Sequence, residues 1–227
     1  MNVTKSLLVL TFTAVSWAQL TPRMASITAV GEATISVPPD LARVDLGVTT
    51  QATTAQDATN QNATQSSAVI AAIQAVIGNS GNIKTISYSL NAVYNNPPPG
   101  QTATIVAYQV SNVVEVTLND LTAIGKVIDT SIQNGANRVQ GISFGLQDSN
   151  PPTAQALRTA AARSKTQADA IAAGLNVHTG AVLHASEGVN TTTPTLRTGV
   201  AATTTTPVET GLVVIQASVT LEVAIAQ

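Results

Sequence analysis

Along most of this 227-residue chain an apolar side chain recurs at every second position, and in three stretches the spacing lengthens to three and four. A spacing of two puts apolar groups on one face of a β-strand; a spacing near 3.6 puts them on one stripe of an α-helix. A chain with both must build sheets and lay helices on them. Ala42, Val44, Leu46 and Val48 alternate with Arg43, Asp45, Gly47 and Thr49, the pattern of a half-buried strand. Ile27, Ala29, Ala33, Ile35 and Val37 line one face of an earlier strand, and Pro38-Pro39-Asp40 supplies a turn between the two. Ile86, Tyr88, Leu90, Ala92 and Tyr94 mark a third strand. The run Asn95-Asn96-Pro97-Pro98-Pro99-Gly100 breaks it, because proline cannot donate to a ladder. Val106, Tyr108, Val110, Val114, Val116 and Leu118 carry a long, weakly charged fourth strand over 103–118, an edge hazard unless it is covered or paired. Further strands are expected over 139–146, 180–186 and 212–225.

The longer period predicts three helices. Ala55–Ile77 carries Val69, Ile73, Val76 and Ile77 on one side and stops at Gly78. Asp120 can cap a second helix bearing Leu121, Ile124, Ile128 and Ile132, with Gly135 just past its end. In the third, Ala154, Leu157, Ala161, Ser164, Ala168, Ile171 and Leu175 recur at spacings of three and four. Most of these are small, so this helix can lie close against a sheet or another helix; coiled-coil pairing is the alternative, with a weak seam.

The order is therefore ββαββαβαββ. Neighbouring strands with short connections predict an antiparallel sheet with packed helices, an α+β fold. Residues 189–211 hold ten threonines in 23 positions, with Pro194 and Pro207, and read as a long mobile loop between the last two strands. No charge run or composition shift divides the remainder. Residues 26–227 are expected to be one domain, preceded by a linker over 19–25.

Residues 1–18 read as a signal peptide. Lys5 precedes an apolar run of about ten residues, and Ser16 and Ala18 place small side chains at −3 and −1 of a cut after Ala18. The run is shorter than the roughly 20 residues that span a bilayer, and no later segment reaches that length. The mature protein is expected to be exported, water-soluble and without a transmembrane anchor. Its remaining aromatics, Phe144, Tyr88, Tyr94 and Tyr108, are too few for the two girdles of a membrane barrel. Cysteine is absent, which excludes a disulfide scaffold, a thiolate metal site and a cysteine nucleophile. Ten basic residues against twelve acidic ones leave no electrostatic footprint for nucleic acid.

Few residues invite a chemical reading. Gly141-Ile142-Ser143-Phe144-Gly145 matches the G-x-S-x-G elbow of serine hydrolases, and Asp148 or Asp169 and then His178 or His184 follow in order. The elbow requires a sharp strand-to-helix turn, whereas Ile142, Phe144 and Leu146 continue the strand alternation past Ser143. A strand residue is the expectation. His178 and His184, with Glu187 nearby, lack the third histidine or cysteine that a zinc site wants; His184 should share a strand face with Val182 and Ser186. Tyr88, Tyr94 and Tyr108 should pack across a hairpin. Arg158, Arg163 and Lys165 read as a solvated helix face. Asn62-Ala63-Thr64 and Asn190-Thr191-Thr192 fit the N-glycosylation pattern. No catalytic, cofactor-binding or metal-ligating residue is assigned.

Several stretches together resemble one family. They are Val30-Gly31-Glu32 leading to Val37-Pro38-Pro39-Asp40-Leu41-Ala42, Ile83-Lys84-Thr85 running into Tyr88-Ser89-Leu90, and Ala107-Tyr108-Gln109-Val110-Ser111-Asn112. Gly135-Ala136-Asn137-Arg138-Val139, the helix Ala160-Ala161-Ala162-Arg163-Ser164-Lys165, and the closing Val208-Glu209-Thr210-Gly211 complete the series. Their order and spacing are similar to the SIMPL-domain family of exported bacterial proteins, described as periplasmic immunogenic or oxidative-stress-defence proteins. The resemblance covers about residues 26–225. It implies an α+β domain in the periplasm or cell envelope and a tendency to form homo-oligomers. It brings no catalytic residues. Pro38-Pro39 stands where a small residue or a single proline is usual, and the threonine-rich segment is longer than typical.

The expectation is a non-enzymatic envelope protein that acts by homo-oligomeric assembly or binding, with a part in oxidative-stress defence. The alternative is a binding module for an envelope peptide or glycan, and a serine hydrolase at Ser143 is the remote third.

Overall fold

The computed structural model describes residues 24–196 and 209–226. The expected signal peptide lies outside them, as do most of the linker and the part of the threonine-rich segment over 197–208.

The expected α+β order is found, arranged as two antiparallel sheets. The strands are β1 (Ser26–Val37), β2 (Leu41–Ala52), β3 (Gly81–Tyr94), β4 (Ile105–Leu118), β5 (Arg138–Gly145), β6 (His178–Thr192), β7 (Thr195–Leu196) and β8 (Val213–Ala226). The helices are α1 (Ala55–Ile77), α2 (Ile124–Gln133) and α3 (Asn150–Gly174). One sheet has the order β3-β4-β2-β5-β7 and carries α1 and α2; the other has the order β1-β8-β6 and carries α3. Pro38-Pro39-Asp40 is therefore a crossing between sheets and not a hairpin turn. β1 pairs with β8, whereas β2 pairs with β4 and β5. Strand β4 lies between β3 and β2, so the weakly charged run is paired on both sides over 108–118.

Local chemistry sets the helix ends. Thr54 caps α1: its hydroxyl accepts from the Asp57 N–H at 3.1 Å and donates to Asp57 Oδ2 at 2.7 Å. Gly78, with φ of 55°, ends the helix and donates to the Gln74 carbonyl. Asp120 caps a single 3₁₀ turn, Leu121–Ala123, and α2 begins only at Ile124. Its carboxylate accepts from the Thr122 N–H and hydroxyl, and these two bonds hold the carboxyl below the usual range. Pro151 and Pro152 occupy the first turn of α3, where missing N–H groups cost nothing.

The five-stranded lobe is filled by large side chains. Val44, Leu46, Val114, Val116, Leu118, Ile142 and Phe144 from the sheet meet Val69, Ile73 and Ile77 of α1 and Val127 and Ile128 of α2. Nearer its start, α1 buries Ala58, Asn62 and Ser66. Asn62 donates to the Val48 carbonyl at 2.9 Å and accepts from the Ser66 hydroxyl at 3.2 Å, so this polar patch is satisfied.

The three-stranded lobe is different. Large residues come from β8 (Val213, Ile215, Val219, Leu221, Val223), while α3 contributes Ala156, Ala160, Ala168 and Ala172. The buried stripe is Ala156, Ala160, Ser164, Ala168, Ala172. Only Ser164 and Ala168 of the expected stripe belong to it, and Leu175 is 61% exposed. The reason lies at Gly31 on β1. A Cβ there would sit 2.0 Å from the Ala160 carbonyl oxygen and 2.3 Å from the Ser164 nitrogen. Helix and strand backbones touch, so only small residues fit between them. A row at four-residue spacing runs obliquely to the helix axis and follows the twist of the strands below.

Candidate functional site

The hydrolase constellation is not assembled. Ser143 lies inside β5, opposite Arg43 of β2 and Thr195 of β7, and the next helix starts only at Asn150. Asp148 accepts from the Asn150 N–H at 2.8 Å. Asp169, His178 and His184 belong to the three-stranded lobe.

His178 and His184 are exposed and do not converge with other ligands; among the described residues no group of three metal-binding side chains forms. His184 stands opposite Glu222, whose Oε1 accepts from the Ser26 hydroxyl at 2.6 Å. A register shift between Val182 and His184 turns these two to opposite faces, against the expected alternation. Asp169 accepts from the Thr179 hydroxyl at 2.6 Å and from Lys165 at 3.2 Å; these bonds hold its carboxyl below the usual range. Arg163 reaches across β1 and donates to the Glu32 carbonyl at 2.7 Å, so the helix face is not purely solvated.

Asn62 is 1% exposed and cannot serve as a glycosylation acceptor, whereas Asn190 is exposed on β6. The tyrosines share the β3–β4 hairpin without pairing with one another: Tyr88 faces Asn112, Tyr108 faces Ala92 and Tyr94 faces Ile105.

A charged cluster occupies the helix-free face of the five-stranded sheet. Asp45 and Glu115 are direct cross-strand neighbours, and Lys84 Nζ lies 2.9 Å from Glu115 Oε1. Burial pushes the Asp45 carboxyl above the usual range and the Glu115 charge adds to this, while Lys84 opposes it. Asp45 Oδ1 is buried with no hydrogen-bond partner among the described residues.

Two features that alternation alone could not locate are open sheet edges. Among the described residues β3 and β6 each have one neighbour, as β1 does, and β3 and β6 are exposed along most of their length. Lys84 is the one charged residue of β3; β6 has Glu187 besides its two histidines. Neither strand contains proline, and their pairing is regular over 87–93 and 184–192. Ile86, Tyr88, Leu90 and Tyr94 on β3 and Val182, Leu183 and Val189 on β6 are all over 40% exposed. Strand β6 runs to Thr192, and β7 then pairs with β5, so the start of the threonine-rich segment is ladder and not loop. On the helix-free face of the three-stranded sheet a depression of about 440 Å³ is lined by Glu32, Thr34, Gly188, Asn190, Gln216 and Ser218.

Comparison with known proteins gives consistent matches. The family model SIMPL, described as a protein of unknown function (DUF541), matches residues 27–223. The 26 kDa periplasmic immunogenic proteins of Brucella melitensis biotype 1 and Brucella abortus strain S19 are each 30% identical over 166 residues, 69% of this chain. The match spans 66% of each relative, just under two thirds of its length.

Proposed function

The chain belongs to the SIMPL family, and on that premise we propose that it is an exported protein of the periplasm or cell envelope that works by homo-oligomeric assembly and not by catalysis. The periplasmic naming of its relatives supports the location, as does the leader-like segment over 1–18. Mass spectrometry of the secreted protein tests export: the expected first residue is Gln19, and a retained Met1 overturns it.

The observation that carries assembly is the pair of open edges on β3 and β6. Monomeric proteins blunt such edges with charges, proline or bulges, because an unpaired ladder recruits other strands. The regular runs over 87–93 and 184–192 have only Glu187 between them as a charged residue. Edges on opposite sheets of one chain can join head to tail and close into a ring. Sedimentation of residues 19–227 at micromolar concentration should give one discrete oligomer. A single monomeric species sinks the proposal. Leu90→Lys and Val189→Lys, one on each edge, should each shift the population towards monomer without unfolding it. A part in oxidative-stress defence belongs to the same reading, and unchanged peroxide survival of a deletion strain removes it.

A binding module for an envelope peptide or glycan is the second reading. It is favoured by the polar depression, whose hydroxyls and amides offer both donors and acceptors. Loss of ligand retention in Asn190→Ala with unchanged oligomer size would support it over assembly.

A further inference from the structure

Between Lys84 and Glu115 the chain contains no Asp, Glu, Lys, Arg or His. This whole stretch is the β3–β4 hairpin, and it carries every tyrosine of the protein. The charges at its base are already bound to each other, Lys84 to Glu115. β2 accompanies β4 only as far as Ala52 opposite Tyr108. Beyond that point the hairpin is a two-stranded ribbon, held by Val93 opposite Ala107, Tyr94 opposite Ile105, and the Asn95 N–H bonded to the Thr104 carbonyl at 3.0 Å. Three ladder steps of about 3.4 Å carry it roughly 10 Å past the end of β2, before the loop over 96–103.

Three of the hairpin's six exposed large apolar residues lie at this end, and Ile86, Tyr88 and Leu90 lie further along β3. Tyr94 is 58% exposed, Val106 51% and Ile105 47%, and Pro98 and Pro99 are exposed in the loop. A solvent-facing tip is ordinarily polar and charged; this one combines an aromatic, two aliphatics and prolines with neutral amides and hydroxyls.

We propose that the end of the β3–β4 ribbon is a membrane-contact tip that inserts shallowly into the interfacial layer of a zwitterionic bilayer. The size of the patch selects lipid over protein. Tyr94, Ile105 and Val106 expose roughly 230–310 Å² together, taking ~150–200 Å² for a whole side chain. A stable protein interface needs about 800 Å² from each partner. A lipid surface asks less, since a few apolar side chains at the headgroup boundary give reversible binding. Tyrosine suits that boundary, with its ring towards the acyl chains and its hydroxyl among the headgroups. The missing charges matter twice: none has to be desolvated on insertion, and no lysine or arginine is present to seek anionic lipid.

The test is flotation of residues 19–227 with phosphatidylcholine vesicles. The protein should float with the vesicles and still do so in about 0.5 M NaCl, where exposed ionic attraction is screened. The double variant Ile105→Asp, Val106→Asp should lose at least about tenfold of the bound fraction. Its circular dichroism and melting temperature, matched to the parent, separate lost binding from lost fold. Ile105→Trp gives an independent reading, because the chain's one tryptophan, Trp17, lies in the leader. Its emission should shift to the blue on adding vesicles. Absence of flotation by the parent protein overturns the proposal, as does flotation that the double variant retains. If the parent stays off the vesicles and the double variant loses its oligomer, the tip is a protein contact. Assembly through the β3 and β6 edges stands or falls separately, by sedimentation without lipid.

Discussion

In the five-stranded lobe α1 stands off its sheet on Val69, Ile73 and Ile77, whereas in the three-stranded lobe α3 rests its backbone against Gly31. The first attachment fills space with side-chain volume, so its strength comes from apolar area removed from water. The second removes the space. Ala156, Ala160, Ser164, Ala168 and Ala172 each bury little, but the close approach brings many atoms within dispersion range. The first arrangement should tolerate small changes of volume, while the second should fail at a single added atom.

The sharpest way to break this contrast is Gly31→Val. The new Cβ would meet main-chain atoms of Ala160 and Ser164, which cannot rotate away, so α3 must lift. A loss of at least about 4 kcal/mol in urea unfolding is expected. Every tyrosine and Phe144 lie in the five-stranded lobe, and both histidines in the three-stranded one. Histidine resonances should therefore collapse towards random-coil positions or broaden while the near-ultraviolet circular dichroism persists. Loss of both signals together would show that the lobes fold as one unit.

Ile73→Ala, the corresponding cut in the other lobe, should cost about 3 kcal/mol by opening a cavity among large neighbours. A cost below about 1 kcal/mol would mean that this core collapses around the gap. Asn62→Ala removes the amide that serves the Val48 carbonyl and the Ser66 hydroxyl, and about 2 kcal/mol should be lost on chemical denaturation.

The smallest effect concerns Asp45. Its carboxyl is raised by burial, so the folded state holds its proton at pH values where the unfolded chain has released it. This group's contribution must then fall as pH rises from the unfolded value, near 3.8, through the raised folded value, and stay low above it. Asp45→Asn should remove that slope and gain less than about 1 kcal/mol at neutral pH, since water screens a half-exposed carboxylate. A variant that keeps the same slope in an acid titration of stability would put the effect on other groups.

Much of this architecture was legible in the residues. Alternation in Ala42–Val48 and Val106–Leu118 found strands, and Gly78 and Gly135 marked helix ends that the structure keeps, whereas the Thr54 cap emerged only from the structure. The stripe of α3 was misplaced because alanines surround it on every side, and periodicity in small residues carries little contrast. The pairing of β1 with β8 was hidden, since a two-proline connector reads the same whether the chain turns back or crosses to a second sheet. The candidate surfaces were half visible: the charge-free run from Thr85 to Val114 is plain in the sequence, but which strands form edges is not.

By itself the sequence determined which segments are strands and which are helices, because the spacing of apolar side chains follows from backbone geometry alone. It also determined the chemical poverty of the chain, since no cysteine and few charges are available for reactive chemistry. Only the tertiary structure decided which strands neighbour which, where α3 touches the sheet, and which edges are left open. Those are relations between residues far apart in the chain. They are set by whether particular backbones can approach, as at Gly31 and Ala160, and local periodicity does not record them.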